Sequence, residues 1–271
     1  MSQRKSRLRP LGTWVVLLGG LLAGAVVAAG AGKPSSAWTD DFTKGIDTRF
    51  WVIANGGAPG YIPNVHKGYY QPNDVSVANG IVTMRLTQEY GTVDTNPAGV
   101  ISRGALLYSK KTYGYGTYQW RMRMSSTAAS PVAAGTPVRG SVSAGFNYVN
   151  NSQTEIDFEF SALSPSSLFL VNWLNPTPSA DPTDLNETFT ELPFISTSTF
   201  HTYRFDWQPG LITYYIDGVP QDLPHFSNVP TAPAYFMINH WGTNSAYWGG
   251  AATVGTTRYA YIDWVSYTPL P

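Results

Sequence analysis

Residues 154–160 read Thr-Glu-Ile-Asp-Phe-Glu-Phe, a stretch in which acidic and apolar residues alternate strictly. In a β-strand successive side chains point to opposite faces, so Glu155, Asp157 and Glu159 share one face and the apolar residues between them share the other. The apolar face can enter a hydrophobic core. Three carboxylates on the opposite face repel one another, which costs stability unless the crowding serves a function. The stretch therefore predicts a strand with a core on one side and a functional site on the other.

Carboxylates in this arrangement suit the hydrolysis of glycosidic bonds. A retaining glycosidase needs one ionised carboxylate as nucleophile and one protonated carboxyl as general acid, and crowding separates the two pKa values. The backbones of Glu155 and Glu159 lie roughly 13 Å apart along a strand. The carboxyl groups of a retaining pair lie about 5–5.5 Å apart, so the side chains must lean together on the concave side of a curved sheet. The alternative interpretation is a solvated acidic face without chemistry.

The rest of the chain also has the two-residue period of β-strands. Runs rich in Val, Ile, Thr and aromatic residues are bounded by Gly, Pro, Asn, Asp and Ser, and Asp217-Gly218 is a strong hairpin signal. Trp207 and Trp264 fall on the apolar positions of their runs and are predicted as core. No helical stripe of 12 residues follows the N-terminal segment, so the sequence predicts an all-β antiparallel sandwich or barrel. The predicted strands cover residues 81–86, 118–124, 141–149, 154–160, 168–173, 200–207, 211–216, 234–241 and 259–267.

The composition excludes several classes of function. Only 13% of the 271 residues are charged, and 17 basic residues balance 17 acidic ones. Nucleic-acid binding needs a basic excess, so a nucleic-acid partner is not expected. The chain has no cysteine, which excludes disulfide bonds, thiolate catalysis and thiolate-bound zinc.

Residues 1–32 have the pattern of a signal peptide. Arg4, Lys5, Arg7 and Arg9 precede an uncharged segment that ends in small residues. The alternative is an uncleaved anchor, which would tie the protein to a membrane. The pattern predicts a secreted or cell-envelope protein in which residues 33–271 form one catalytic domain.

The stretch at 154–160 resembles the catalytic strand of glycoside hydrolase family sixteen, whose pattern is Glu-x-Asp-x-Glu. Other segments resemble further strands of that family and occur in the family's order along the chain. The five-residue form of the motif, without an inserted residue, is most similar to bacterial lichenases and plant xyloglucan transglycosylases. The segments that carry the resemblance are 113–118, 154–160, 200–209, 214–218, 237–241 and 261–265.

The resemblance implies a curved two-sheet antiparallel jelly-roll sandwich of the concanavalin A type, with the cleft on the concave sheet. It also implies retention of configuration, with Glu155 as nucleophile, Glu159 as general acid/base and Asp157 as their helper. Three departures from the lichenase pattern, at Gln153, at Ser161-Ala162 and at Leu170, fall on positions expected to line the cleft. These departures put the identity of the sugar in doubt, not the chemistry.

Sugar binding is predicted for aromatic and polar residues near the motif, because sugars stack on aromatic rings and form hydrogen bonds with polar side chains. Trp241 and Asn239 match the family's cleft strand and are the first candidates. Asn55 resembles a residue of a lichenase loop, and Arg103 could bind a sugar hydroxyl. For each of these residues the alternative is packing, a turn or a strand end. The remaining candidates are Trp173, Tyr148, Phe146 and Trp248.

The leading functional hypothesis is an exported, monomeric, lichenase-like endo-β-glucanase that hydrolyses β-1,3/1,4-linked glucan. Two alternatives stay open: a transglycosylase or hydrolase acting on xyloglucan or a bacterial exopolysaccharide, and a lectin-like carbohydrate-binding module. Catalysis requires no cofactor on this mechanism. The resemblance implies a structural Ca²⁺ on the convex side, with Asp263 as its side-chain ligand.

Overall fold

The computed structural model describes residues 36–175, 185–191, 196–221 and 224–271, without the side chains of 185–191. Nearly all regular structure in these ranges is β, apart from a 3₁₀ turn at Pro72–Asp74. No helix in the described ranges is long and apolar enough to cross a membrane. The predicted signal peptide, residues 1–32, lies outside the described residues.

The strands are numbered in chain order over the described residues. Every predicted strand is present, and the sequence missed several strands between residues 38 and 113. The strands are β1 Trp38–Asp40, β2 Trp51–Ile53, β3 Gly56–Ile62, β4 His66–Tyr70, β5 Val75–Ala78, β6 Ile81–Val93, β7 Asn96–Tyr113, β8 Gly116–Ser126, β9 Ser141–Val149, β10 Thr154–Ser161, β11 Ser167–Trp173, β12 Leu185–Glu191, β13 His201–Gln208, β14 Leu211–Ile216, β15 Val219–Pro220, β16 Ala234–Gly242 and β17 Arg258–Pro269.

The strands form two packed antiparallel layers, which confirms the predicted all-β sandwich. One layer runs β5-β6-β17-β8-β13-β14-β15, with β1 also paired to β17. The other runs β2-β7-β16-β9-β10-β11-β12. The long strands β6 and β7 pair with each other and so connect the two layers, and β4 joins β7 in parallel. The predicted catalytic motif thus lies on β10, near the middle of the second layer.

Aromatic side chains fill the space between the layers. Trp120 contacts Phe158 edge to face at 5.4 Å between ring centroids, and Phe205 and Tyr118 stack at 4.9 Å. Trp207 is fully buried in this cluster, as predicted. Burial of these large rings is the main source of stability of a cysteine-free domain.

The prediction that Trp264 is a core residue is wrong. The pairing of β17 with β8 shifts by one residue between Ile262 and Trp264, which is a β-bulge. The extra residue reverses the alternation, so Val265 enters the core in place of Trp264. The hairpin prediction is confirmed, because Asp217 and Gly218 both have positive φ, at 50° and 80°, and connect β14 to β15.

Gly145 is the residue of β9 that lies opposite Phe158. A Cβ atom at this position would overlap the indole of Trp120, at a distance that real Cβ atoms do not show. Glycine therefore lets the Trp120 indole approach the backbone of β9, the strand next to the predicted catalytic motif.

We expect Gly145→Ala to lower the free energy of unfolding by about 1–3 kcal/mol, because the added methyl group overpacks the core. Chemical denaturation measures the change. Gly114→Ala is the matched control, since its Cβ would meet only Pro233, at 3.9 Å. Equal stabilities of the two variants would contradict this role of Gly145 beside Trp120.

Candidate active site

Strand β10 places its two sets of side chains on opposite faces, as the alternation predicts. Ile156, Phe158 and Phe160 are fully buried in the core between the layers. Asp157 points to the other face and is 2% exposed, and Glu155 and Glu159 beside it are half-buried. We call this other face of the second layer, which carries the three acids, the site face.

The positions that flank the acids are uncharged. Each acid has one cross-strand neighbour on β9 and one on β11, and β16 lies beyond β9. None of these nine flanking positions carries a charge, so nothing beside the acids on these strands neutralises them. The nine residues are Tyr148, Phe146 and Ala144 on β9, Trp173, Val171 and Phe169 on β11, and Tyr235, Met237 and Asn239 on β16.

This environment raises the pKa values of two of the acids. Burial raises the pKa of Asp157 well above its usual range, and the charges of Glu155 and Glu159 raise it further. Burial also raises the pKa of Glu155 to about 7, while a hydrogen bond from Ser152 opposes the rise. These effects favour the protonated form of Asp157, and a proton on Asp157 removes one of three like charges from the strand face.

The Ser152 hydroxyl donates a hydrogen bond to Oε2 of Glu155. Sequence reasoning missed this residue, which precedes β10 in the turn from β9. The consecutive asparagines at 150 and 151 were a usable signal, because asparagine tolerates a left-handed backbone, and Asn150, Asn151 and Ser152 all have positive φ.

Tyr70 is a second residue that the sequence did not reveal. It comes from β4 and packs with Trp241 and Val142 in a small buried cluster on the site face. Burial raises the pKa of the Tyr70 hydroxyl, the Asn239 side chain opposes the rise, and the charge of Glu159 adds to it. Tyr70 is thus close to both Asn239 and Glu159.

The candidate sugar-binding residues from β9, β11 and β16 do lie together on the site face. Tyr148 and Trp173 flank Glu155, and Phe146 flanks Asp157. Asn239 is 5% exposed on β16. Leu170, a position expected to line the cleft, instead pairs with Phe158 and points into the core, so that prediction is wrong and its neighbours on β11 take the position.

The four remaining candidates are placed as follows. Trp241 is buried, and a Cβ on Gly60 would lie 2.8 Å from its ring. Trp248 packs edge to face against Phe169, with ring centroids 4.7 Å apart. Asn55 is exposed just before β3, and Arg103 forms an ion pair with Glu89. Sugar binding by these residues stays a prediction.

Asp263 does not fit a calcium site in the arrangement described. Its carboxylate forms an ion pair with Arg121, so a cation would have to displace a guanidinium group. The described ranges contain no cluster of three or more His, Cys, Asp or Glu side chains that could hold a metal ion. Calcium at Asp263 stays a prediction, which melting with and without a chelator would test.

Comparisons with known proteins agree on one family. Residues 64–266 match the family model described as "Glycosyl hydrolases family 16". The beta-glucanase of Bacillus subtilis (strain 168) is 30% identical over 251 residues, which cover 90% of this chain and 91% of the relative. The beta-glucanase of Paenibacillus polymyxa is 34% identical over 167 residues, or 59% of this chain and 62% of the relative.

Solved structures give the same picture. A prokaryotic beta-1,3-1,4-glucanase (lichenase) from a mouse hindgut metagenome superimposes with a TM-score of 0.69 and 25% identity, covering 87% of this chain and all of that one. The Bacillus licheniformis beta-glucanase also has a TM-score of 0.69, at 26% identity, covering 88% of this chain and all of that one.

The raised pKa of Asp157 predicts a pH-dependent effect of Asp157→Asn on stability. The folded protein holds a proton on Asp157 that the unfolded chain loses above the ordinary aspartate pKa of 3.8, so the wild type loses stability as the pH rises. Asparagine mimics the protonated acid. We expect the variant to match the wild type near pH 4 and to exceed it increasingly as the pH rises toward the folded-state pKa of Asp157, with a slope on the order of 1 kcal/mol for each pH unit.

Chemical denaturation between pH 4 and 8 measures this effect, and Asp94→Asn serves as a control of opposite sign. The backbone N–H of Asn64 and the hydroxyl of Tyr61 lower the pKa of Asp94, so its ionised form stabilises the fold. That contribution is present above pH 3.8 and is lost at lower pH, so the control should be destabilised at neutral pH. A constant difference between Asp157→Asn and the wild type at all pH values would contradict a protonated Asp157.

Proposed function

The chain belongs to glycosyl hydrolases family 16, and we propose that it is a lichenase-like endo-β-glucanase that works by double displacement. The observation that carries the proposal is the row of three acids on the site face of β10, in which Asp157 is buried between two glutamates. Two glutamates and a neutralised aspartate supply the nucleophile, the acid and the tuning group that a retaining glycosidase needs.

Glu155 is the nucleophile in this mechanism. Its ionised carboxylate attacks the anomeric carbon and forms a glycosyl ester, while Glu159 gives its proton to the departing glycosidic oxygen. Glu159 then takes a proton from a water molecule, and the resulting nucleophile displaces Glu155 and restores the original configuration. Asp157 holds its proton throughout, so Glu155 can ionise beside a neutral neighbour.

The surroundings of the acids favour a neutral polysaccharide. Of the nine flanking positions, all but Ala144 and Asn239 carry an aromatic or a large aliphatic side chain, and none is basic. Aromatic surfaces suit the C–H faces of glucose rings, and the ionised Glu155 repels an anionic polymer. This supports β-1,3/1,4-glucan or xyloglucan over a sulfated or uronic-acid polymer.

Transglycosylation is a second candidate, favoured by the apolar surroundings of the acids. Val171 and Phe169 flank Asp157 and Glu159 on β11 and offer a water molecule no hydrogen-bonding side chain. A sugar hydroxyl held by stacking then competes with water for the glycosyl ester. Labelled oligosaccharide acceptors distinguish the two outcomes, since transfer incorporates the label into longer products.

The proposed function includes export of the protein from the cytoplasm. Residues 1–32 act as a cleaved signal peptide on this interpretation, and residues 33–271 work outside the cytoplasm as a monomeric catalytic domain. An enzyme that cleaves polymers too large to enter a cell must meet them outside it. Three crowded acids serve no purpose in a lectin-like module, which argues for catalysis.

We expect the purified chain to release reducing ends from barley mixed-linkage glucan, and not from carrageenan. Laminarin and xyloglucan complete the panel. Glu155→Ala and Glu159→Ala should each lower kcat/KM by on the order of 10³-fold or more. Asp41→Ala, an exposed acid far from β10 in the sequence, is the control and should keep full activity. Activity on no polymer, or an active Glu155→Ala variant, would overturn the proposal.

Azide should separate the roles of the two glutamates. With a nitrophenyl β-glucooligosaccharide and Glu155→Ala, azide enters on the face that the missing carboxylate vacates and yields the α-glycosyl azide. With Glu159→Ala, the ester on Glu155 still forms and azide displaces it to yield the β-glycosyl azide. Proton NMR of the products identifies the anomer, and the reverse pattern would exchange the two assignments.

A further inference from the structure

The turn that leads into β10 has an unusual backbone. Asn150, Asn151 and Ser152 have φ values of 46°, 50° and 61°, so three consecutive residues with side chains are left-handed. Residues other than glycine adopt the left-handed region mostly singly, and serine adopts it less often than asparagine. A conformation of this kind persists only where the surroundings fix it, and such positions cluster at functional sites.

Hydrogen bonds from both sides fix this turn. The Asn150 side chain donates to Oε1 of Gln153 at 3.0 Å. From the end of β11, the backbone N–H of Asn175 donates to the Ser152 carbonyl at 2.8 Å and its side chain donates to the Asn151 carbonyl at 3.0 Å. The turn is therefore held against the neighbouring strand and is not a free loop tip.

The fixed turn directs polar groups of its own at the site. The Ser152 hydroxyl, on a residue only 4% exposed, donates to Oε2 of Glu155. The hydroxyl of Tyr148, the cross-strand neighbour of Glu155, has its pKa raised mainly by burial, and backbone hydrogen bonds from Asn151 and Ser152 oppose that rise. The left-handed backbone thus places three donors around one end of the row of acids.

We propose that Ser152 is a positioning residue for the nucleophile: its hydroxyl holds one oxygen of Glu155 and leaves the other free to attack the anomeric carbon. The inference rests on the proposed function, in which Glu155 is that nucleophile. When the glycosyl ester forms through the free oxygen, the oxygen bound to Ser152 becomes the ester carbonyl. When water displaces the ester, negative charge returns to this carboxylate and Ser152 stabilises it.

Ser152 donates a hydrogen bond to Glu155, and the described groups that face this carboxylate from β10, β9 and β11 oppose its ionisation or are neutral. Burial raises the pKa of Glu155, and the hydrogen bond from Ser152 lowers it. Asp157 lies next to it on the same face of β10, Tyr148 faces it from β9, and Trp173 faces it from β11 without a titratable group. Glu159 lies on the far side of Asp157. Loss of the Ser152 hydroxyl therefore removes a group that opposes the effect of burial on Glu155.

The test compares Ser152→Gly with Asn151→Gly. Both variants place glycine, which accepts the left-handed backbone, in the same turn, so both should melt at or above the wild-type temperature. Only Ser152→Gly removes the hydroxyl. We expect the acid limb of its kcat/KM profile on mixed-linkage glucan to move up by about one pH unit, which corresponds to a roughly tenfold loss of activity below the limb. The profile of Asn151→Gly should coincide with that of the wild type.

A carboxyl ¹³C titration of Glu155 measures the same shift without turnover, and we expect it to move upward in Ser152→Gly alone. If Ser152→Gly keeps the wild-type profile and titration, or if Asn151→Gly shifts both equally, the role of Ser152 is overturned while the glucanase function stands. A wild-type protein that is inactive on every glucan, or an active Glu155→Ala variant, overturns the proposed function itself.

Discussion

Strand β10 has to satisfy two opposite demands within eight residues. One face places Ile156, Phe158 and Phe160 in the core between the layers, where Phe158 contacts Trp120, and the other face holds three acids side by side. The first demand fixes the register of the strand, because a slip by one residue would bury glutamates in the core and expose the aromatic rings. The repulsion among the acids is tolerated because burial of the apolar face makes any other register of the strand far less stable. Aromatic packing against Trp120 therefore keeps mutually repelling carboxylates in place.

The acids are also tuned by chain segments remote from the motif. Ser152 donates to Glu155 from a strained turn, and Tyr70 approaches Glu159 and Asn239 from β4. The two residues act differently. Ser152 favours the ionised form of Glu155 at one end of the row, and the buried Tyr70 hydroxyl lies near Glu159 at the other end. Between them, burial and the charges of the two glutamates favour the neutral form of Asp157. The row thus has distinct ends although its sequence is nearly symmetrical, which is what a nucleophile and an acid/base require.

The sequence alone predicted much of this arrangement. Period-two alternation identified β10 and the other regular strands, and the Asp217-Gly218 pair identified the hairpin between β14 and β15. Both signals are local in the sequence. The predictions that failed depend on contacts between residues far apart in the sequence. The bulge beside Trp264 depends on how β17 fits β8, and the inward direction of Leu170 depends on the register of β11 against β10. Tyr70 is brought to the site by the parallel pairing of β4 with β7, which no spacing in the sequence indicates. The short strands β1 to β5 have compositions with too little alternation to be recognised.

The position of β17 has a consequence for how the protein folds. This strand, Arg258–Pro269, lies between β6 and β8 in its sheet and also pairs with β1. Until residues 258–269 leave the ribosome, β6 and β8 each lack a neighbour and the aromatic core lacks Val265 and Tyr267. The sheet that packs against the β10 layer therefore closes late, through contacts between residues more than 130 positions apart, and such contacts form slowly. A nascent chain therefore keeps its aromatic core open until residues 258–269 have been made.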